Sequence, residues 1–375
     1  MTPIERQKIL NVGILTLPLH TNFGGILQAV ALYNFLSGEG HNVTLIRAAA
    51  PRPLHLRLLS RALRNTPFQN FFGIRGNFLL LESHTPFLRR YIATQTRRLR
   101  GFYELRNFVQ GSNLDAVIVG SDQVWRPEYG MGVDIRRYFL DFADEPVLKV
   151  SYAASFGLSR WNYQDYIPEL TNLLLKFNAI SLREGSGVKI CCDTFGRDDG
   201  QVVLDPTLLM PASFYEQMLP RDEEVPQKKL TVLKYVLDAI DACNIVEKEI
   251  VQSLGADVIV TSIAAGNNST VLTVPEWLSK FKTADYVITD SYHGMIFSII
   301  FQKQFIVVPN MCRGGDRFMS LARMLFLESR VHFDGQDFQL PAKEIDYEHT
   351  HSLISDLRHK SVAFIRKSLF NRVLK

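Results

Sequence analysis

Residues 11–46 read NVGILTLPLHTNFGGILQAVALYNFLSGEGHNVTLI, and the changes of hydrophobic period inside this stretch decide the fold. Residues 11–17 form a short apolar run, the pattern of a strand covered on both faces. A turn follows at residues 22–25. From 26 to 37 the residues Leu27, Val30, Ala31, Asn34 and Phe35 recur at helical spacing. Residues 41–46 read as a second strand. Strand, helix and strand joined by short connections make a parallel βαβ unit, whose sheet is buried beneath helices.

The same alternation continues along the chain. Residues 114–119 predict a buried strand ending in Gly120 and Ser121, 147–154 and 178–182 predict two more, and 202–204 closes the series. Pro206, Pro211, Pro220 and Pro226 then punctuate residues 205–227, which reads as a hinge or crossover. A second run begins at Lys229, with strands at 230–235, 257–261, 286–289 and 305–308 and helices at 239–254, 274–282 and 294–301. Residues 349–374 carry a long helical period ending in basic residues. The order predicts an α/β protein of two doubly wound, Rossmann-like domains facing each other across a cleft, the GT-B arrangement of glycosyltransferases. The first domain is expected at 1–205, a linker at 206–228, the second domain at 229–345 and a C-terminal helix at 346–375. A chain of 375 residues is long enough for two such cores.

Hydrophobic residues make up 46% of the chain and charged residues 21%, which excludes disorder and collagen-like repeats. No stretch approaches the roughly 18 uninterrupted apolar residues of a spanning helix. Asn11 and Pro18 interrupt the first apolar run, and no small-residue cleavage site follows it, so a buried first strand fits better than a secretory signal. Cys191, Cys192, Cys243 and Cys312 show neither metal-ligand spacing nor a disulfide framework, and the expected compartment is a reducing cytoplasm. Charge is unevenly spread. Between Arg47 and Arg106 twelve arginines face only Glu82 and Glu104, a local excess of +10 in a chain whose total is +4. Arg52, Arg57, Arg61 and Arg64, then Arg89, Arg90, Arg97, Arg98 and Arg100, have the spacing of amphipathic helices with basic faces, so an Arg-rich helical insert is expected at about 47–108. No nucleic-acid reading motif accompanies it. The functional readings are attraction to an anionic membrane surface or to a diphosphate-bearing substrate, and the plain alternative is a solvated or ion-paired face.

Ligands of open α/β sheets bind beyond the carboxyl ends of the strands, so the turns after each strand carry the chemistry. Asn22-Phe23-Gly24-Gly25 offers close backbone approach and a helix start suited to an anion, or simply a tight connection. In Gly120-Ser121-Asp122-Gln123-Val124-Trp125, Asp122 can act as a base, hold a hydroxyl or cap a helix. Trp125 there can stack on a sugar or fill the core. Arg183 follows a strand directly and suits capture of a carboxylate or phosphate, or pairs with Glu184. Asp290-Ser291-Tyr292-His293-Gly294 places a histidine able to exchange protons near neutral pH at a strand end. Arg313 and Arg317 add cations on the same edge.

These blocks, with Gln28 after the first glycine pair, Ser151-Tyr152-Ala153-Ala154-Ser155-Phe156-Gly157, Leu204-Asp205-Pro206-Thr207 and Asp316-Arg317-Phe318, resemble the polysaccharide pyruvyl transferase family in order from about residue 11 to about 330. The resemblance implies a GT-B-like enzyme that takes phosphoenolpyruvate, releases phosphate and leaves a pyruvate ketal on two hydroxyls of a sugar in capsule or exopolysaccharide synthesis. It implies His293 and Asp122 as catalytic residues and Arg183, Tyr292, Ser291, Arg317 and Arg313 on the donor side. Asn22, Phe23, Gly24, Gly25, Gln28, Ser121, Gln123 and Trp125 fall on the acceptor or anion side. Phosphoenolpyruvate would be a co-substrate, with no cofactor and no metal. The acceptor would be free or lipid-linked, with the basic insert resting on the anionic inner face of the membrane in the second case.

One position departs from the family. Some members carry an arginine two residues before the histidine, where this chain has Ser291, so Arg313 or Arg317 would have to supply that cation and the donor itself is left open. A nucleotide-sugar glycosyltransferase, with Asp285 or Asp290 holding a ribose, is the competing enzyme, and a non-catalytic sugar-binding protein the reading from another class.

Overall fold

In the computed structural model, which describes residues 8–19, 22–49, 84–130, 135–220, 229–238, 240–255, 257–264 and 272–370, the apolar runs become parallel strands. In chain order they are β1 (Asn11–Leu15), β2 (Asn42–Ile46), the two-residue strands β3 (Ala48–Ala49) and β4 (Leu99–Arg100), then β5 (Ala116–Val119), β6 (Leu148–Ala154), β7 (Ala179–Leu182) and β8 (Gln201–Val202). Apart from β3 and β4, which pair with each other, these strands form one parallel sheet in the order β2-β1-β5-β6-β7-β8. The second sheet contains β9 (Leu230–Val236), β10 (Val258–Ala264), β11 (Tyr286–Thr289) and β12 (Gln304–Val307), parallel in the order β10-β9-β11-β12. Strand order reverses between β1 and β5 and again between β9 and β11. At such reversals the flanking crossovers leave opposite faces of the sheet and open a crevice above the strand ends. The chain is thus an α/β protein of two doubly wound sheets, each with its crevice at the carboxyl edge.

Central strands β5 and β11 are buried at every position, as the runs AVIV and YVIT require in a sheet covered on both faces. The helix Tyr292–Ile300 is poor in strong helix formers, and all nine of its residues are buried. Packing rather than propensity holds it, since burying one large apolar side chain contributes about 1.5–3 kcal/mol. Ile14 of the first sheet, Val30 of the helix Phe23–Gly38, Leu208, Phe297 and Phe305 of the second sheet belong to one continuous hydrophobic cluster. The two sheets therefore share a core below the crevices.

Two expectations change. The proline-dense stretch after Asp205 begins as packed structure: Pro206–Leu209 is a buried 3-10 helix and Tyr215 and Met218 are core residues, while 221–228 lie outside the described residues. Pro206 suits this buried start of the crossover because it lacks the backbone donor that would otherwise need a partner. Arg97, Arg98 and Arg100 are not on a helix. Leu45 and Arg47 accept backbone hydrogen bonds from Thr96 and Leu99, so this stretch runs extended alongside the end of β2 and ladder pairing overrides the helical spacing. Arg89 and Arg90 do lie on a helix, at 84–91, and Gly101–Gly111 is the helix leading into β5. Arg52, Arg57, Arg61 and Arg64 lie outside the described residues.

The last helix, Tyr347–Phe370, returns to the first sheet. Ser361 Oγ accepts from the Leu204 amide at 3.0 Å, Arg358 Nε donates to the Leu208 carbonyl at 2.8 Å, and Arg366 grips Glu39 through Nε at 2.6 Å and Nη2 at 3.0 Å. Among the described residues no helix is long and apolar enough to cross a membrane.

Candidate active site

The carboxyl ends of β5, β7 and β11 converge on one buried cluster of charged side chains. Beyond β5, Asp122 adopts a left-handed backbone, φ 87°, which costs a non-glycine residue on the order of 1–3 kcal/mol and turns its carboxylate into the crevice. There Oδ2 accepts from Asn22 Nδ2 at 3.1 Å and Oδ1 from the Gln123 amide at 2.8 Å. Arg183, the residue after β7, has no solvent exposure. Its Nη1 lies 3.2 Å from Asp205 Oδ2, its Nη2 3.7 Å from Asp122 and its Nε 3.9 Å from Glu184. Burial opposes its charge, but Tyr292, Asp205, Asp122 and Glu184 outweigh burial and hold its pKa above the ordinary value.

Asp205 ties the two halves together. Oδ2 accepts from Ser121 Oγ at 2.8 Å as well as from Arg183, and Oδ1 accepts from the Thr207 amide at 3.0 Å and Thr207 Oγ1 at 2.7 Å. His293 Nε2, from the second sheet, lies 3.5 Å from Oδ2. Burial alone would raise this carboxyl; His293, Arg183 and Thr207 overcome it and hold the group below the usual carboxylate range. Neighbouring Glu184 goes the other way, because burial exceeds the pull of Arg183 and raises it. Two adjacent buried carboxyls are thereby separated into an ionised one and one biased towards neutrality, the differentiation that acid–base chemistry uses.

Across the crevice, Ser291 Oγ accepts from the Gly294 amide at 3.3 Å and caps the helix Tyr292–Ile300. This fixes Tyr292 and His293 in its first turn. The Tyr292 ring lies beneath two guanidinium groups, with Arg183 4.5 Å and Arg317 5.4 Å from its centroid, an arrangement that offsets part of the repulsion between the cations. Burial and then Arg183 push Arg317 down to about 10, which leaves it charged at neutral pH. Among the described residues its Nε has no hydrogen-bond partner. His293 packs flat on the backbone of Gly24: a Cβ at residue 24 would sit 2.1 Å from His293 Nδ1. Gly25 backs in turn onto Asn22 and Asp122.

The structure therefore brings together Asn22, Gly24, Gly25, Ser121, Asp122, Arg183, Ser291, Tyr292, His293 and Arg317. Others expected here do different work. Trp125 is fully buried, its Nε1 donates to the Tyr138 carbonyl at 2.9 Å and its ring packs on Phe139, Phe156 and Phe177, so it fills the core and stacks on no sugar. Gln28 is buried, donating to Thr16 Oγ1 and the Gly25 carbonyl. Phe23 stacks on Trp277 of the second domain. Gln123 donates to the Arg313 carbonyl at 3.0 Å and latches the two domains. Arg313 makes a bidentate pair with Asp238 at 2.6 and 2.7 Å, so its charge is already matched and the cations on Tyr292 are Arg183 and Arg317. Asp290 accepts from the amides of Leu237 and Asp238, a structural role at the end of β9. Asp205 and Glu184 are central yet were not singled out from sequence; both stand inside blocks that carry the family resemblance, which was the available signal. Among the described residues no three His, Cys, Asp or Glu side chains group as metal ligands.

A family model described as polysaccharide pyruvyl transferase matches residues 22–311, from Asn22 through Arg183 and His293. The chain belongs to the polysaccharide pyruvyl transferase family. It is accordingly a transferase by family, and its site residues up to Arg183 and His293 fall within the matched span. A comparison with curated proteins finds no sequence match. Among solved structures it is similar to a protein assigned as UDP-N-acetylglucosamine 2-epimerase from Listeria monocytogenes, with a TM-score of 0.51 at 12% identity over 96% of this chain and 91% of that one. It is also similar to MnaA of S. aureus bound to UDP, with a TM-score of 0.50 at 10% identity over the same shares of each chain. At such identities the likeness concerns the fold, which is the two-domain GT-B-like arrangement.

Proposed function

We propose that this family member transfers pyruvate from phosphoenolpyruvate to two hydroxyls of a sugar, forming a ketal and releasing phosphate, in the synthesis of a surface polysaccharide. The observation that carries the reading is the pair of guanidinium groups on the Tyr292 ring beside His293 and two differentiated carboxyls. Phosphoenolpyruvate bears a carboxylate and a phosphate on one small skeleton, and a site for it needs concentrated positive charge next to a proton donor. Arg317, with its unpartnered Nε, is the direct anion contact. Fully buried Arg183 acts from behind, positioning Tyr292, Asp122 and Asp205. Asp122, tethered by Asn22, orients or deprotonates the first acceptor hydroxyl. His293, backed by Asp205, exchanges protons with the reacting enol or the departing phosphate.

In the reaction the methylene carbon gains a proton, the first sugar oxygen bonds to the central carbon, the carbon–oxygen bond to phosphate breaks, and the second sugar oxygen closes the ring. Of the two protons the diol gives up, one ends on the new methyl group and the other on phosphate. The step balances without an oxidant or reductant.

Calorimetric titration of phosphoenolpyruvate tests the reading. Saturable binding is expected, weakened about 10- to 100-fold in Arg317→Ala, as loss of a hydrogen bond to a charged group implies. His293→Ala should bind phosphoenolpyruvate within a few-fold of the parent while acceptor-dependent phosphate release falls about 10²- to 10⁴-fold. Absence of phosphoenolpyruvate binding beside clear binding of a nucleotide sugar would replace pyruvyl transfer with glycosyl transfer.

A further inference from the structure

A second concentration of positive charge lies at the carboxyl ends of β1 and β2, on the other side of the first crevice. A cavity of 180 Å³ opens there, lined by Thr16, Leu17, Ile46, Arg47, Arg98 and Arg100 among others. Arg47 is the telling residue. It is half-buried, and its guanidinium has neither a hydrogen bond nor an ion pair among the described residues. Burial and then the like charge of Arg89 lower its pKa, and among the described residues no carboxylate opposes them. A cation held among other cations without an acid is unfavourable for folding and becomes favourable when an anion arrives. Arg98 and Arg100, which make polar contacts of their own, bring further positive charge to the cavity. Arg137 Nη1 donates to the Ala49 carbonyl at 3.2 Å and braces the wall.

The cavity wall is hydrogen-bonded to the turn that carries Asp122. Thr16, on its lining, donates from Oγ1 to the Ser121 carbonyl at 3.0 Å, and Ser121 immediately precedes Asp122. The cavity and Asp122 both belong to the first domain, the side that carries the acceptor in the pyruvyl-transfer reading.

We propose that this cavity is an oxyanion subsite that takes a phosphate or diphosphate group of the acceptor, with Arg47 as its central contact. The subsite leans on the pyruvyl-transfer reading only in naming its occupant an acceptor; the oxyanion chemistry stands on the cavity itself.

Inorganic pyrophosphate titrated into the full chain by calorimetry, with and without saturating phosphoenolpyruvate, is the test. Pyrophosphate should occupy a site that phosphoenolpyruvate does not displace. Arg47→Gln should weaken that site at least about 10-fold, the effect expected of one charge-assisted contact, and leave phosphoenolpyruvate affinity unchanged; Arg317→Ala should do the reverse. Arg98→Gln, at an exposed position, should weaken pyrophosphate in the same direction and keeps the test open if Arg47→Gln does not fold. Complete displacement by phosphoenolpyruvate, equal binding by Arg47→Gln, or no binding at all would overturn the subsite. Displacement of pyrophosphate by vesicles containing anionic phospholipid would overturn the acceptor as occupant in favour of a lipid headgroup. If pyrophosphate binds as expected but phosphoenolpyruvate does not, the subsite stands and pyruvyl transfer fails.

Discussion

Asp205 is the single side chain on which Arg183, Ser121, Thr207 and His293 all converge. Asp205→Asn keeps the shape and removes the charge, leaving the buried Arg183 guanidinium without its nearest ion-pair partner, with Asp122 next at 3.7 Å. Breaking one side of a buried pair costs about 3–5 kcal/mol. Denaturant unfolding at pH 7 should show a loss of that size, and a change below about 1 kcal/mol would mean that Asp122 and Glu184 suffice. The pH dependence has a definite sign. The folded-state pKa of Asp205 is depressed, so its contribution is fully present above the unfolded carboxylate value of about 3.9 and is lost as pH falls through that value towards the folded one. In melting curves the stability gap between parent and Asp205→Asn should therefore hold from pH 7 down to about 4 and begin to narrow only below that, since the folded carboxyl keeps its charge until the pH approaches its own depressed pKa. At this scale the sequence made Asp122, Arg183 and His293 legible because each stands just beyond a recognisable strand end, and Arg317 through the Asp316-Arg317-Phe318 block. Asp205 was less legible: its importance comes from four partners as many as 88 residues away in the chain, which no local pattern encodes.

The long strands of both sheets were read within a few residues of their observed ends, because a strand buried on both faces must be nearly all apolar, whereas the helices Ile167–Leu174, Gly185–Phe195 and Asp316–Leu325 were not marked. Two further features were settled by tertiary contacts. Arg97 to Arg100 have helical spacing but pair with the end of β2, and Trp125, open in sequence between a sugar platform and the core, lies in an aromatic core with Phe139, Phe156 and Phe177. Local spacing reports propensity, whereas pairing and burial depend on which distant surface is free to receive the segment. Trp125→Ala should accordingly destabilise the protein by about 3–5 kcal/mol, the usual cost of emptying a large aromatic site. It should leave phosphoenolpyruvate affinity unaltered in the fraction that remains folded. A selective loss of ligand binding at unchanged stability would return Trp125 to the binding surface.

At the scale of the whole molecule the two sheets meet through close backbone contact as well as side chains. Gly314 has φ 85°, and a Cβ there would lie 2.7 Å from the Gly157 carbonyl oxygen of the opposite domain. Gly314→Ala should strain the backbone and wedge the crevice apart beside Arg317. Because shifts of about 1 Å at a site can cost on the order of 100-fold in rate, phosphoenolpyruvate turnover should fall well beyond the change in stability. Small-angle scattering should show a slightly larger radius of gyration, and unaltered turnover with unaltered scattering would show that the domains do not depend on this contact.

From its sequence alone the chain was fixed as α/β, as two doubly wound domains and, by ordered motifs, as kin to the pyruvyl transferases. Those properties rest on hydrophobic period and on residues clustered within short turns. Only the tertiary structure decided that Asp205 joins the halves, that Arg313 is matched by Asp238 while Arg317 sits on Tyr292, and that Arg47 lines a cavity with no acid among the described residues around it. Charge becomes chemistry through burial and partner distance, and both are set by which strand ends the fold brings to the same crevice.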